Sequence, residues 1–508
     1  MKRIETVYLH IILKGSPLAM PGYSENYKID HDGKRVTIID CEVVGHLVFD
    51  EDFAYPYSIH FQNCSFAGNF VIHKGTFKDV TFSGIRHGLY LFAVNGGTFE
   101  SFNFSGSSIL QSDIKIQGGE FRDLGFQSGS SFKNSIFIGA CKIKTLALMD
   151  AIFDHPVGIM QVTEVSFVLL RNVQMTELEF YDGDYGSFDI ETKSTINKLK
   201  ISGGSFGSLR IRSENIAELS IEKHAKNVDL SLGKITFGQM GKVNGVVSGC
   251  KIGKLEFSPS YIHKDTILRV LNVSIESLSF NGLVNYGQLG FSNLELEKEL
   301  SISRSDLGKT SFINSNLSDI KMSFEDSRIT DTFFSKGTFP QRIAEDEHQQ
   351  RQAYAQLKKI NEGKGDYLEA NHFYAKEMNA FYRTITWRKN FWEKLNLCFN
   401  KYSNDHGQSW QLALAVVAIG SSLFFAVYLL GLNIRIGSIS EPEDRDYFLK
   451  CLSYLPEFLN PVHRTDEIAK GIGQQASPWA RLVEGFSRIF IAFAIYQLIQ
   501  AFRKHGKK

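Results

Sequence analysis

KGTFKDVTFSG (74–84), GGTFESFNFSG (96–106) and GGEFRDLGFQSG (118–129) are three copies of one segment, set 22 residues apart. Gly75, Gly97 and Gly119 correspond, as do Phe77, Phe99 and Phe121, and Phe82, Phe104 and Phe126. A fixed period of about 20 residues marks a solenoid, whose coils bury their apolar rows only by stacking on their neighbours. A shorter signature spreads through the chain: apolar, two polar, apolar, one polar, apolar. It reads Ile143/Leu146/Leu148, Val162/Val165/Phe167, Met175/Leu178/Phe180, Ile196/Leu199/Ile201, Phe206/Leu209/Ile211, Ile216/Leu219/Ile221, Ile252/Leu255/Phe257, Ile275/Leu278/Phe280 and Leu317/Ile320/Met322. The last two apolar positions alternate as on a short strand, and the two-polar step supplies a corner. These patterns predict a mainly β fold, a parallel β-helix over residues 59–338, with most of the 41 phenylalanines in its core. Residues 1–58 lack the repeat and are expected to cap the open end.

Toward the end of this region Ile302, Leu307, Phe312, Leu317 and Met322 recur every five residues in SISRSDLGKTSFINSNLSDIKM. That spacing resembles the pentapeptide-repeat family, whose square coils point a central Leu or Phe inward. The resemblance covers about thirty residues well, and the 22-residue region departs from it through longer coils.

After Phe339 and Pro340 the composition turns to helix formers, predicting a juxtamembrane helical hairpin over 339–405 that breaks at Gly363 and Gly365. Asp366 followed by Glu369 forms a capping box for the second helix, with Ala370, Tyr374, Met378, Phe381 and Ile385 on one face. Residues 406–508 form a two-span module. Trp410–Leu432 is uncharged and long enough to cross a bilayer. The second apolar stretch, Leu482–Phe502, contains Glu484, Arg488, Gln497 and Gln500. A charge at bilayer depth costs about 2.5 to 3.5 kcal/mol, so such groups normally face water or a partner. Between the spans, DYFLKCLSYLPEFLNPVH holds an apolar run too short to cross, interrupted by Pro456 and Pro461, and 445–462 reads as a re-entrant or interfacial segment.

Glu484, Arg488, Ile491, Ile495, Ile499 and Phe502 fall on one helical face, with Gln497, Gln500 and Lys504 opposite. One expectation makes this row the pore and gate, closed by dewetting at the Ile and Phe ring. The other makes Glu484 and Arg488 an i,i+4 pair at the lipid interface, with the glutamines contacting the first span. Two spans cannot enclose a water path, so a pore requires a homo-oligomer, a tetramer being the usual solution. No TVGYG-like filter lies in 433–481, which leaves potassium selectivity unsupported.

The net charge of +1 is uninformative about partners. MKRIETVYLHIILKGSPLAM superficially has the layout of a signal peptide, but Glu5, His10 and Lys14 interrupt its apolar run, and a first strand is expected instead. The six cysteines show no CxxC pair, as for free thiols in a reducing compartment. Arg383, Arg388, Lys389, Lys394 and Lys401 precede the first span, and Arg503, Lys504, Lys507 and Lys508 follow the second, placing both flanks in the cytoplasm.

Enzymatic chemistry is not expected, nor any metal or cofactor. Among nucleotide-binding motifs there is no GxGxxG turn and no GxxxxGK[ST] loop, and the histidines show no metal spacing. Asp182, Asp184 and Asp189 in DGDYGSFD fit a solenoid corner better than a calcium loop. Lys198/Lys200 and Arg210/Arg212 lie outward on neighbouring coils as a candidate anion-binding stripe, joined by Arg351, Lys358, Lys359, Arg383 and Arg388 of the hairpin.

The order of solenoid, hairpin and two spans resembles bacterial pentapeptide-repeat membrane proteins that end in an ion-channel-like module, and the transmembrane effectors of the Hailong type of anti-phage defence. The resemblance implies a multi-pass protein of the bacterial inner membrane with a cytoplasmic solenoid that senses a ligand. Depolarisation would be the output, and the ligand a nucleotide or single-stranded DNA oligomer supplied by a partner enzyme. A membrane-anchored solenoid that binds or scaffolds without conducting ions is the alternative.

Overall fold

The computed structural model describes residues 2–503 other than 15–26, 31–33, 86–90, 192, 214, 224–229, 336–339, 341, 344–345, 433, 435–441 and 465. Phe339, Lys504, Lys507 and Lys508 therefore lie outside the described residues. The chain forms two compact units, 1–344 and 345–508.

The first unit is a parallel β-solenoid of ~13 turns. Residues with alternating apolar side chains place one side inward at each coil, and parallel pairing stacks equivalent positions into ladders. One ladder runs Val36, Ile59, Val80, Phe102, Leu124, Leu146, Val168, Phe188, Leu209, Ile235, Leu255, Leu278, Leu300, Met322 and Ile343. Every member is buried. In the region of strict repeats, Tyr55, Phe77, Phe99 and Phe121 form an aromatic stack with successive ring centroids 4.5, 5.0 and 4.7 Å apart and planes within 8° of parallel. The recurring glycine has a backbone cause. Gly75, Gly97 and Gly119 turn the corner at φ of 120°, 98° and 96°, and a Cβ on Gly97 would lie 3.0 Å from the Gly75 carbonyl oxygen.

Coiling begins before the expected boundary at residue 58. Strand Arg35–Ile39 already pairs in parallel register with Ser58–Gln62, because Val36 and Ile38 supply the inward alternation without the Gly-Phe signature. The first segment is a strand only over Lys2–Glu5, which joins Cys41–Val44. Helix α1 (Thr6–Leu13) follows and buries Leu9, Ile12 and Leu13, with His10 edge-on to Phe49. The five-residue series is inward throughout: Ile302, Leu307, Phe312, Leu317 and Met322 are all buried. One triplet is out of step. Val165, Val168 and Leu170 turn inward, in unbroken register with Ile143, Leu146 and Leu148 of the preceding coil, while Phe167 pairs with the outward Thr145.

In the second unit α2 (Glu347–Lys364) and α3 (Tyr367–Thr384) form the hairpin. Gly363 lies within α2, and Gly365 caps it with φ of 78°. Asp366 accepts the Glu369 amide at 3.2 Å, completing the N-cap of α3. The packed face of α3 is Ala370, Phe373, Glu377 and Ala380, rotated from the expected one, and Tyr374 is exposed. Phe373 packs beside Tyr354 of α2, and the Glu377 carboxylate is tolerated there because Lys358 donates to it at 2.8 Å. Helices α4 (Phe391–Asn404), α5 (Trp410–Gly431), α6 (Pro442–Ser453), α7 (Leu455–Phe458), α8 (Glu467–Ile472) and α9 (Pro478–Arg503) complete the unit.

Candidate functional site

Helices α5 and α9, with 22 and 26 residues, are long and apolar enough to cross a membrane. They pack side by side, with Gly431 against Ala480 and Phe424 tilted on Phe490. The segment between them forms short helices, and Cys451, Phe458, Ile468 and Ile472 join Phe425, Tyr428 and Leu429 of α5 and Val483 and Ile491 of α9 in one apolar cluster.

Glu484 sits at the edge of this cluster, only 2 % exposed. Its Oε1 accepts from Arg488 Nη2 at 2.7 Å and faces His463 Nε2 at 2.9 Å. His463 comes from the inter-span segment, and its other ring nitrogen lies 2.6 Å from the Asn460 carbonyl oxygen. Both imidazole nitrogens thus face oxygen atoms, which fixes the ring between the inter-span segment and α9. The i,i+4 pair expected from sequence is present, but Glu484 is buried within the helical unit and the pair is completed by a histidine. Gln497, also expected on the first span, instead faces α4. Asn404 Nδ2 donates to its Oε1 at 2.6 Å, and its own Nε2 donates to Asn400 Oδ1 at 3.0 Å.

The row drawn from sequence is therefore divided. Glu484 and Ile491 lie inside the helical unit, Arg488 and Ile495 are partly buried, and Ile499 and Phe502 are exposed, Phe502 stacking on Trp410 with centroids 5.5 Å apart.

On the solenoid the expected basic stripe is neutralised. Lys198 and Lys200 pair with Glu177 at 3.3 Å and Glu179 at 2.6 Å, and Arg210 and Arg212 both reach Asp189, at 3.5 and 2.8 Å. The two basic pairs occupy successive sides of one coil, not neighbouring coils, because strands Thr195–Ile201 and Gly204–Ile211 follow each other around a single turn. In the hairpin, Arg351 lies 3.9 Å over the Phe381 ring and Lys358 binds Glu377, while Lys359, Arg383 and Arg388 are exposed.

A different surface carries unpaired cations. An open groove of about 730 Å³ runs across the first coils, lined by Lys34, Lys78, Glu100, Arg122 and Lys144 beside the aromatic stack. Lys78, Glu100, Arg122 and Lys144 face out from equivalent positions on consecutive coils, about 4.8 Å apart by strand spacing. Among the described residues no ion pair engages Lys78, Arg122 or Lys144. The 22-residue period contained this row, one position after each inward Phe77, Phe99, Phe121 and Ile143.

Asp182 and Gly183 turn a corner at φ of 50° and 141°, and Asp189 is committed to its two arginines. Among the described residues no group of three or more His, Cys, Asp or Glu could hold a metal. GGSFG (203–207) spells the GxSxG pattern of serine hydrolases, but Ser205 lies on strand Gly204–Ile211 between Asp184 and Ser231 of the adjacent coils, with no strand-to-helix elbow. None of the six cysteines forms a disulfide, and burial pushes the thiols of Cys64, Cys141 and Cys250 up to about 12, away from nucleophile chemistry. No protein-family model, curated protein or solved structure matches the chain.

Proposed function

We propose that the chain is an oligomeric membrane effector in which the solenoid senses an anionic ligand and the two-helix module gates ion flow. The observation that carries this reading is the buried Glu484, held by Arg488 and His463 inside an otherwise apolar module. A passive anchor gains nothing from a carboxylate whose burial costs several kcal/mol before pairing, whereas a module that must change its packing can use one. With Glu484 and Ile491 occupied inside the subunit, the gate row narrows to Ile495 and Ile499, which close the path by dewetting in a tetramer-like ring. The groove of Lys78, Arg122 and Lys144 replaces the neutralised stripe as the ligand surface. Its charge suits the nucleotide or single-stranded DNA oligomer expected from an anti-phage partner enzyme, with a cytoplasmic solenoid at a bacterial inner membrane.

Expression in cells loaded with a membrane-potential dye tests the gate. Ile495→Asn should depolarise them constitutively, while Gln497→Ala, bound to α4, should not. A silent Ile495→Asn beside a depolarising Gln497→Ala would place the pore on the opposite face. Silence in both would favour the anchored scaffold.

A further inference from the structure

Helix α4 precedes the first candidate span by five residues, 405–409, and turns into it through Asp405, His406 and Gly407 at φ of 50°, 52° and 82°. Its inner side is fastened to α9. Asn404 and Asn400 hold Gln497, and at the border of the two sides the half-exposed Phe399 meets Phe493 edge-on with centroids 5.6 Å apart. The other side is left to the surroundings. Trp392 is 78 % exposed and Tyr402 62 %, and with Phe399 they recur at i, i+7 and i+10, one helical stripe. Trp387 and Phe391 extend the aromatic surface just before it. Exposed Arg388 and Lys389 flank the stripe, and among the described residues neither has an ion-pair partner. Lys394 and Lys401 lie over the Tyr382 ring at 4.6 and 5.1 Å, their stems along apolar surface.

We propose that α4 lies in the plane of the bilayer interface, its aromatic stripe among the headgroups and upper acyl chains and its basic residues on anionic phospholipid. The inference rests on the membrane reading above. Three observations choose lipid over a second copy of the chain. The helix leads into a candidate span through a five-residue turn. Its exposed surface combines Trp and Tyr with Lys and Arg, which is the composition of the membrane–water boundary, whereas protein interfaces are depleted of Lys. The Trp410–Phe502 stack marks the same end of both candidate spans. An interfacial helix buries its apolar face about 5 to 10 Å into the boundary region and gains from anionic lipid. It would fix the level of the α9 end that it grips through Gln497.

The test uses full-length single-tryptophan variants, the other three tryptophans replaced by Phe, in phosphatidylcholine–phosphatidylglycerol vesicles. Their acyl chains are brominated either near the headgroup or near the chain terminus. Trp392 should be quenched about twofold more by the shallow bromines than by the deep ones, as expected at interfacial depth. Replacing Arg388 and Lys389 by Glu should weaken that quenching when phosphatidylglycerol is present and leave it unchanged in phosphatidylcholine alone. Quenching of Trp410 and Trp479 without quenching of Trp392 would overturn the proposal while leaving the spans intact. Protection of Trp392 from both bromine and aqueous iodide would also overturn it, in favour of a second copy. If none of the tryptophans meets bromine, the membrane reading fails and takes this proposal with it.

Discussion

Phe99→Ala removes the middle ring of the aromatic stack, and its cost follows from the contacts it makes. Phe99 is fully buried, lies parallel to Phe77 at 5.0 Å and to Phe121 at 4.7 Å, and meets Phe102 edge-on at 5.3 Å. Losing a buried Phe side chain and leaving its cavity costs about 3 to 5 kcal/mol. Aromatic pairs add about 0.5 to 1.5 kcal/mol each beyond the area buried, so three such contacts set the expectation at the upper end, about 4 to 5 kcal/mol. The surrounding coils cannot collapse to fill the gap, because backbone hydrogen bonding on both sides holds the strands at fixed spacing. In a solenoid stability is roughly a sum over coils and their interfaces, and this one substitution weakens two adjacent interfaces together. Heating in detergent, followed by the β-sheet circular dichroism signal, should show a midpoint lowered by about 8 °C or more, taking about 2 °C per kcal/mol for a large domain. Glu100→Ala, one residue further on an exposed position, should shift it by less than about 1 °C. A Phe99→Ala protein that melts with the wild type would show that the ladder register is wrong.

Glu484→Ala should destabilise the helical unit by about 3 to 5 kcal/mol by stranding Arg488 and His463, and adding Arg488→Met should recover part of the loss; equal melting of Glu484→Ala and wild type would contradict the buried cluster. Burial depresses the proton affinity of His60, aided by Arg35, and that of His10, aided by Lys14. The unfolded chain therefore binds more protons once the pH falls through the ordinary histidine value of about 6.5, so solenoid stability should be full above that pH and fall as pH drops below it. Gln at positions 10 and 60 should flatten that slope in urea titrations, and a stability that rises on acidification would refute the assignment. An oligonucleotide bound in the groove should lose affinity steeply with salt, and Lys78→Glu with Arg122→Glu should reduce the log–log slope by about 2, one per cation. Salt-independent binding would point to a protein partner instead.

The solenoid was legible because its repeat is written into chemistry that tolerates little substitution. Gly75, Gly97 and Gly119 are demanded by a left-handed corner, and the phenylalanines by a stack that needs the same shape on each coil. Legibility falls where two readings of the apolar signature overlap. Val162/Val165/Phe167 and Val165/Val168/Leu170 both fit its spacing, and only the pairing with Ile143, Leu146 and Leu148 of the preceding coil selects the second. Before residue 58 the coils persist without the signature, since two inward residues per strand are enough to pair. In the second unit the unusual residues were visible but their partners were not. Glu484 and Gln497 stand out in an apolar run, yet His463 lies beyond the span and Asn400 and Asn404 precede the other one. Periodicity reports which residues share a face, and it is silent about which distant segment covers that face. The same limit misplaced the charge: Lys198, Lys200, Arg210 and Arg212 form an evident basic pattern, but cross-strand acids one coil away cancel it.

The proposed control of ion flow by the solenoid is read out by ion flux through purified full-length protein in liposomes. Vesicles carrying Ile495→Asn protein should leak salt, and wild-type vesicles should be tight, with a flux that changes when an anionic ligand fills the Lys78–Arg122–Lys144 groove. Vesicles that stay sealed with both proteins, at a protein density where each is confirmed to be inserted, would contradict it.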